Sequence, residues 1–386
     1  MTSTTLIERL ACPVCLEPAG CATCSVAGGD HAICLARYSE RASCACGGPD
    51  KVRLRLVEAG LECPCCRHVY ALRDGIYDLS PPAAVGDSTL YADHEFHERL
   101  DVVDNPLLLS ARVKAGQMRR MLRPAAGDLL VDLGCGSGRF ALFAAEHGAQ
   151  VVGLDLAPYF LPRAQARVDL AVGDLRRLPF RKAAFAGAYC LDVLEHLDES
   201  GVRDILVEAR RVLQPSGRLF VYTHAMESSA LARFQRGVNH LARWLGRHGL
   251  VDAERERLRK SDHRNAIRSH EHFTALAGQA GLRVVERRYY NVVFKAVIED
   301  VLLRLYEQRR RSARGRRAVV ATSGANEAHA TAARPPYGRV AVTVGRLLTL
   351  LLELDVCLFG RIRTGPFFGL LEPMSSDERR RMGARP

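Results

Sequence analysis

Three glycines at alternate positions, Gly134, Gly136 and Gly138, follow an apolar run that contains Asp132. Glycines let the backbone turn tightly out of a strand and approach a bound group closely, and the helix that follows offers free N–H groups to an anion. The chemistry indicated is the binding of a nucleotide-like ligand. The dinucleotide fingerprint needs its third glycine at position 139, which is Arg139 here, so the spacing argues against a dinucleotide.

Two more carboxylates follow apolar runs further along the chain. Asp155 ends the run Val151–Asp155, 21 residues after Gly134, where a carboxylate is placed to accept both hydroxyls of a ribose. Asp174 follows a third apolar run and precedes Leu175. It is expected to accept from an adenine amino group while apolar neighbours enclose the ring.

These side chains need a sheet to position them. Strand and helix patterns alternate from residue 126 to about 290, which predicts βαβ units and a parallel sheet. Apolar residues at helical spacing predict a helix over 201–213, ended by Gln214-Pro215-Ser216-Gly217. The strands are predicted at 128–133, 150–155, 169–173, 186–191, 217–223 and 282–290.

Five segments in this region, in the expected order, resemble motifs of the class I S-adenosylmethionine (SAM)-dependent methyltransferases, of the type 11-like kind. This chain differs from the family pattern at Ala186, where members often have Asp, and at Ser216, where they often have Gly. The resemblance implies an α/β Rossmann-like class I methyltransferase sheet with helices on both faces, and SAM as cofactor. The segments are Leu129–Phe140, Val151–Asp155, Val172–Phe180, Ala188–Leu197 and Arg211–Leu219. The implied cofactor-binding residues are Asp132, Gly134, Cys135, Gly136, Gly138, Asp155, Leu156, Asp174, Leu175 and Leu191.

The SAM sulfonium is already an activated methyl donor, so the protein must align the acceptor, exclude water and, for a hydroxyl, supply a general base. His196 and His224 follow strand ends on the cofactor side and are the candidate bases. Asp192, Glu195 and His196 also resemble a carboxylate-x-x-Glu-His run of ubiquinone-type O-methyltransferases that use a divalent metal. In relatives without a metal, Glu195 and His196 serve the start of a helix, and both interpretations stay open.

Ten of the thirteen cysteines lie in the first 66 residues, and no apolar signal-peptide core precedes them. Clustered cysteines in a cytosolic chain favour metal over disulfides. Residues 61–79 resemble a short zinc ribbon that precedes many bacterial methyltransferases. The resemblance implies zinc ligands at Cys12, Cys15, Cys63 and Cys66, and a second zinc is a further prediction. An iron–sulfur cluster is the alternative. The second set is Cys21, Cys24, Cys44 and Cys46, with Cys34 or His31 as substitutes.

The formal net charge of +12 favours an anionic partner, and Arg309–Arg317 is an arginine run next to apolar helices expected at 292–311 and 339–360. Such a region fits a peripheral membrane surface, a tunnel for a lipid-like substrate or an RNA-facing patch. The predicted parts are a zinc-ribbon-like domain at 1–80, a linker with helices at 81–125, the SAM-binding domain at 126–290 with a cap at about 225–272, and a C-terminal part at 291–386. This last part contains a helical insertion, a flexible stretch at 312–338 and a last strand at 369–373.

Together these features predict a cytoplasmic enzyme, or one peripheral at the inner membrane face, that methylates a small-molecule or lipid-like acceptor on oxygen, nitrogen or carbon. The alternatives are a methyltransferase acting on bases of ribosomal or transfer RNA, and a non-catalytic zinc-containing binding protein built on the SAM fold. The absence of an Asn-Pro-Pro-Tyr segment and of a Pro-Cys nucleophile after the fourth strand counts against two of the RNA base chemistries.

Overall fold

The fold is built on one mixed sheet, seen in a computed structural model. The sheet has eleven strands in the order β1-β2-β3-β4-β7-β6-β5-β8-β9-β11-β10. The structure describes residues 4–13, 53–64, 66–81, 104–227, 232–250, 263–290, 293–306, 308–309 and 337–383. Strands β5 to β9 are parallel neighbours, so their carboxyl ends lie at one edge of the sheet, where open α/β sheets bind ligands.

The predicted strands are confirmed with small shifts of their ends. The apolar runs of the parallel strands among them are buried on both faces, as expected for a parallel sheet covered by helices. The bounds are β5 Leu129–Leu133, β6 Gln150–Asp155, β7 Asp169–Val172, β8 Phe185–Leu191, β9 Leu213–His224, β10 Leu282–Tyr289 and β11 Pro366–Pro373. The predicted last strand is β11, and it lies antiparallel between β9 and β10.

The predicted helix at 201–213 is observed as Glu199–Val212 (α5), and Asp198 caps it by accepting the Gly201 N–H at 2.7 Å. The expected turn at 214–217 is instead part of β9, which begins directly at Leu213. The register between β8 and β9 shifts between Phe185 and Gly187. That irregularity accommodates the extra residues, so the chain passes from helix to strand without a separate loop.

The other helices cover the two faces of the sheet and its carboxyl edge. The helix predicted at 339–360 is confirmed, whereas the one at 292–311 is a short α-helix followed by a π-helical turn, Ile298–Leu303. The helices are α1 Thr4–Arg9, α2 Leu109–Leu122, α3 Arg139–Glu146, α4 Pro162–Gln165, α6 Ala232–Arg247, α7 His270–Gln279, α8 Phe294–Val297, α9 Arg339–Phe359 and α10 Ser376–Gly383.

The described N-terminal residues extend this sheet. Antiparallel strands lead to β4, which pairs in parallel with β7 through Tyr77 and Ala171. Leu6, Leu10 and Tyr77 belong to the same buried apolar cluster as one face of the sheet. The N-terminal region is therefore packed as part of the sheet structure. Its strands are β1 Arg55–Val57, β2 Gly60–Glu62, β3 Val69–Arg73 and β4 Ile76–Asp78.

Several predictions concern residues outside the described part of the chain. They are Cys15, the second cysteine set Cys21, Cys24, Cys44 and Cys46, almost all of the arginine run, and the stretch 312–338 apart from its last two residues. Among the described helices, none combines the length and the apolar character needed to cross a bilayer.

Candidate active site

The glycine loop joins the end of β5 to the start of α3, and all three glycines have left-handed backbone torsions. The φ angles are +78° at Gly134, +52° at Gly136 and +79° at Gly138. A Cβ at Gly134 would collide with the side chain of Val193, and one at Gly138 would lie 2.7 Å from the Cβ of Ala164. A Cβ at Gly136 would have no neighbour within 4 Å. The outer two glycines are thus required by packing, and the middle one faces open space.

The carboxylate of Asp155 holds this loop at the end of β6. Its Oδ2 accepts the backbone N–H of Gly136 at 2.7 Å, and its Oδ1 accepts the N–H of Ala157 at 3.3 Å. The N–H groups of Gly134 and Cys135 both donate to the Leu154 carbonyl, at 2.9 and 3.1 Å. Each carboxylate oxygen can accept more than one hydrogen bond, so Asp155 can orient the loop and still accept from a ribose.

Asp132 lies beneath the loop and is 1% exposed. Burial and the neighbouring charge of Asp155 raise its pKa well above the ordinary value. Among the described residues, its Oδ2 has no hydrogen-bond partner within bonding distance. A buried carboxylate oxygen without a partner is costly, so this atom is available to a cationic group of a ligand.

Asp174 also has contacts within its own turn. It caps the 3₁₀ turn Leu175–Arg177, and its two oxygens face the guanidinium of Arg176, with the Nη2–Oδ2 distance at 2.9 Å. The adenine contact expected of Asp174 would therefore share this carboxylate with Arg176. Leu156 is exposed at the end of β6, whereas Leu175 and Leu191 are buried. Of these three, only Leu156 offers a free apolar surface to a ring.

A second group of polar residues lies beyond the ends of β8 and β9. Asp192 has a φ of +56°. Its Oδ1 and Oδ2 accept hydrogen bonds from the Nζ of Lys114 at 2.7 and 2.5 Å. The same ammonium lies 4.2 Å from the centre of the Tyr222 ring. Lys114 comes from α2, 78 residues before Asp192 in sequence. Apart from the charges themselves, no sequence pattern indicated this pair.

Glu195 is buried in this group at 2% exposure and accepts the Thr223 hydroxyl at 3.1 Å. Burial, followed by the nearby charge of Asp192, raises the pKa of Glu195 to about 8. The carboxyl group is therefore mostly protonated at neutral pH. Its backbone carbonyl accepts the N–H groups of Arg264 and Asn265, which anchors the segment before α7 to the site.

His224 ends β9, and its Nε2 lies 3.3 Å from the Tyr222 hydroxyl. Burial lowers the pKa of His224 to about 3, although the charge of Asp192 acts in the opposite direction. The imidazole is thus neutral at physiological pH and can accept a proton. Asp192, Glu195 and His224 bring one donor atom each within 4.8 Å of one another, which is compact enough for a divalent cation.

His196 lies on the other side of Glu195, with its ring 4.6 Å from that of His263. The structure thus brings both predicted histidines to the same polar group, which we call the acceptor-side cluster: Lys114, Asp192, Glu195, His196, Tyr222, Thr223, His224 and His263. The sequence missed Lys114, Tyr222, Thr223 and His263. Tyr222 stands two residues before His224 in β9, so the alternation of side chains along a strand could have indicated it, whereas Thr223 is on the opposite face.

Three of the predicted zinc ligands come together in the N-terminal region. The sulfurs of Cys12 and Cys66 are 3.7 Å apart, and the donor atoms of these two and Cys63 all lie within 4.8 Å. The Tyr70 hydroxyl is 3.1 Å from the Cys12 sulfur. Four sulfurs at about 2.3 Å from a zinc ion stand about 3.8 Å apart at the corners of a tetrahedron. The spacing and chemistry of these thiols fit zinc.

The glycine loop fits SAM by the same kind of test. Asp132 has an unpartnered buried oxygen for the amino-acid end, Gly136 has open space above it, and Asp155 has capacity for a ribose.

Residues 131–221 match the family described as methyltransferase domain. The matched segment begins in β5 and ends in β9, so it contains the glycine loop, Asp155, Asp174 and three of the eight residues of the acceptor-side cluster, which are Asp192, Glu195 and His196.

Named relatives are similar over the same region. The chain is 34% identical over 128 residues to the O-methyltransferase resE of Aspergillus sclerotiorum, which covers 29% of this chain and 48% of that protein. It is 33% identical over 141 residues to a ubiquinone biosynthesis O-methyltransferase of Azorhizobium caulinodans, covering 34% and 54%. It is 31% identical over 123 residues to 24-methylenesterol C-methyltransferase 2 of Oryza sativa subsp. japonica, covering 29% and 33%. The chain thus spans about half or less of the length of these relatives.

Among solved structures, phosphoethanolamine N-methyltransferase 2 of Haemonchus contortus superposes with a TM-score of 0.44 at 17% identity, covering 75% of this chain and 60% of that one. The strand order and the glycine loop described above identify the fold independently of that superposition. Residues 131–221 are therefore similar to the methyltransferase domain family, and they lie on a sheet of the class I methyltransferase fold.

Proposed function

We propose that this protein transfers the methyl group of SAM to a small-molecule or lipid-like acceptor. The observation that carries the proposal is the glycine loop at the carboxyl edge of the sheet. Its middle glycine faces open space, its amide is held by Asp155 at 2.7 Å, and Asp132 lies buried beneath it.

In this proposal each residue of the loop has a distinct role. Asp132 receives the amino-acid end of SAM, Gly136 permits close approach of the ligand to the backbone, and Asp155 accepts from the ribose. Bound SAM supplies an electrophilic methyl group. The protein then has to hold the acceptor in line with that group and keep water away.

The acceptor-side cluster supplies the remaining chemistry. His224 at the end of β9 is our candidate to accept the proton that an attacking hydroxyl or carbon acid loses; its lowered pKa keeps the imidazole neutral but also makes it a weak base. Lys114 and Asp192 form the wall of the site on the α2 side. The names of the similar proteins, which refer to O-methylation and to a sterol, support a small or lipid-like acceptor.

Calorimetric titration with SAM and with S-adenosylhomocysteine tests the loop. We expect binding of both, and a loss of at least about tenfold in affinity for Asp155→Ala, equivalent to one lost charged hydrogen bond. Asp74→Asn, in an exposed turn between β3 and β4, is the matched control and should bind like the wild type. Absence of SAM binding by folded wild-type protein would contradict the proposal.

Steady-state kinetics on an acceptor found by screening phenols, sterols and isoprenoid alcohols tests His224. We expect His224→Ala to lower kcat by about 10²- to 10⁴-fold, as for loss of a general base, while SAM affinity is kept. His147→Ala, at the far end of α3, is the control. An unchanged kcat in His224→Ala would remove the base from the mechanism.

We also propose that Cys12, Cys63 and Cys66 hold a structural zinc, with Cys15 as the fourth ligand expected from the sequence. The 3.7 Å sulfur separation and the buried positions of Cys12 and Cys63 support this. Metal analysis of purified protein should find zinc in the wild type and in Cys357→Ser, but a substoichiometric amount in Cys63→Ser. Iron with visible absorption would instead indicate a cluster, and a full zinc content in Cys63→Ser would contradict the site.

A further inference from the structure

Helix α6, Ala232–Arg247, follows β9 and carries a set of exposed apolar side chains. Phe234, Leu241 and Trp244 are 41%, 48% and 47% exposed. Their spacing of seven and three residues places them on one side of the helix. Leu250, just after the helix, is 47% exposed as well. Large apolar residues grouped on one face of a surface helix mark a contact site for another molecule or a membrane.

The opposite side of α6 is basic. Arg236, Arg243 and Arg247 are exposed there, and residues 228–250 contain no Asp or Glu. The chain as a whole also carries a formal charge of +12. A helix with arginines on its polar face and Trp, Phe and Leu on its apolar face is suited to lie in the plane of an anionic lipid surface.

The described residues leave this face open. Helix α6 contacts α8 and the π-helical turn Ile298–Leu303, and among the helix side chains that the structure describes only Ala242 is buried. Leu302 in that turn is itself 47% exposed. The attachment therefore uses one edge of the apolar face and leaves Phe234, Leu241 and Trp244 outside it.

We propose that α6 is a membrane-surface helix, which docks the protein on anionic bilayers with Phe234, Leu241 and Trp244 in the interfacial region and the arginines near the lipid phosphates. An RNA partner would use the arginines but leave the aromatic and aliphatic face in water. A bilayer satisfies both halves of the helix, because its headgroups are anionic and its acyl boundary is apolar. The proposal does not depend on methyl transfer.

The chain provides its own probe, because Trp244 is its single tryptophan. Fluorescence of the full-length protein is measured with vesicles of phosphatidylcholine alone and with vesicles that contain 30–40% phosphatidylglycerol, at roughly physiological salt. We expect the emission to shift to shorter wavelength with the anionic vesicles, together with quenching by brominated acyl chains. Co-flotation of the protein with the same vesicles gives the binding isotherm.

Two kinds of variant separate the apolar and charge contributions. Leu241→Glu should abolish flotation, whereas Leu72→Glu, equally exposed at 48% on β3, should leave it unchanged. Arg236→Gln with Arg247→Gln should lower the partition coefficient about thirtyfold, from about 1 kcal/mol per basic residue near an anionic surface. Arg119→Gln with Arg120→Gln, two exposed arginines on α2, is the charge-matched control and should have a small effect.

Three outcomes would overturn the proposal. They are an unshifted Trp244 emission with anionic vesicles, equal loss in the α6 and α2 arginine variants, and a dimer without lipid that Leu241→Glu converts to monomer. The second would indicate general electrostatic attraction, to lipid or to RNA, and the third would assign the face to a second copy. SAM affinity measured on the same variants should be unchanged, so failure here is distinguishable from failure of the methyltransferase proposal.

Discussion

Gly134 and Gly136 share the left-handed backbone region but have different surroundings. At Gly134 an added Cβ collides with Val193, whereas at Gly136 it would point into open space. Substitutions at these two positions therefore distinguish an effect on the stability of the fold, expected at Gly134, from an effect on ligand binding, expected at Gly136.

Gly134→Ala should lower the free energy of unfolding by about 2–5 kcal/mol, the sum of left-handed strain and overpacking. Gly136→Ala should cost only about 1–2 kcal/mol from strain, while SAM affinity falls at least about tenfold because the methyl group occupies the approach of the ligand. Urea unfolding and calorimetry measure the two quantities. Gly116→Ala, in the middle of α2, is the control and should be neutral or stabilising. Equal effects of both loop variants on stability would contradict this distinction.

Glu195 gives the stability of the protein a pH dependence. Its pKa is raised from 4.5 to about 8 in the folded chain, so between these values the native state holds a proton that the unfolded state has released. The free energy of unfolding therefore falls as pH rises through this range. Glu195→Gln lacks this titration.

Urea unfolding of wild type and Glu195→Gln at pH 5, 6, 7 and 8 measures that contribution. We expect the wild type to lose stability relative to the variant at each step upward, and the difference to level off above pH 8. A difference that does not change with pH would show that Glu195 is ionised in the folded protein.

At the scale of elements, one carboxylate on α9 holds the start of α8. Asp355 of α9 is fully buried and accepts the backbone N–H groups of Val293 and Phe294 at 3.1 and 3.2 Å. These amides begin α8 and have no partner within that helix. The contact fixes the start of the segment on which α6 rests.

Asp355→Ala should destabilise the protein by about 2–5 kcal/mol, because two buried amides lose their acceptor. Asp355→Asn, which keeps one acceptor oxygen, should lose less. Glu353→Ala, exposed on the same helix, should change the free energy of unfolding by no more than about 0.5 kcal/mol. Chemical denaturation of the three variants checks this ranking, and equal values for Asp355→Ala and Glu353→Ala would contradict it.

At the scale of the whole molecule, the N-terminal region and the methyltransferase sheet share a core. Strand β4 pairs with β7, the Ala11 N–H donates to the Pro179 carbonyl at 3.0 Å, and Leu6 and Leu10 are fully buried. Two parts that share buried apolar side chains and a strand edge are expected to unfold together.

Calorimetry of wild-type protein should therefore show one unfolding transition for the described sheet. A strong zinc chelator should lower the Tm of that single transition. Cys63→Ser should reproduce the lowered Tm, and Cys357→Ser, exposed on α9, should not. A separate low-temperature transition that alone responds to the chelator would show that the N-terminal region folds independently.

The sequence by itself determined the parallel strands and the glycine loop, and it predicted Asp132, Asp155, His196 and His224 as site residues. These features are local: a buried parallel strand is a short apolar run, and a tight turn with left-handed torsions needs glycine. The sequence also predicted the cysteines that now lie together as Cys12, Cys63 and Cys66.

Only the tertiary structure decided which distant residues meet. The Lys114–Asp192 ion pair joins residues 78 positions apart, and β4 was added to the edge of β7. Packing also buried Glu195 and His224. Burial raised the pKa of Glu195 and lowered the pKa of His224. These outcomes depend on sheet register and on desolvation, and both arise from contacts between elements, which local periodicity does not encode.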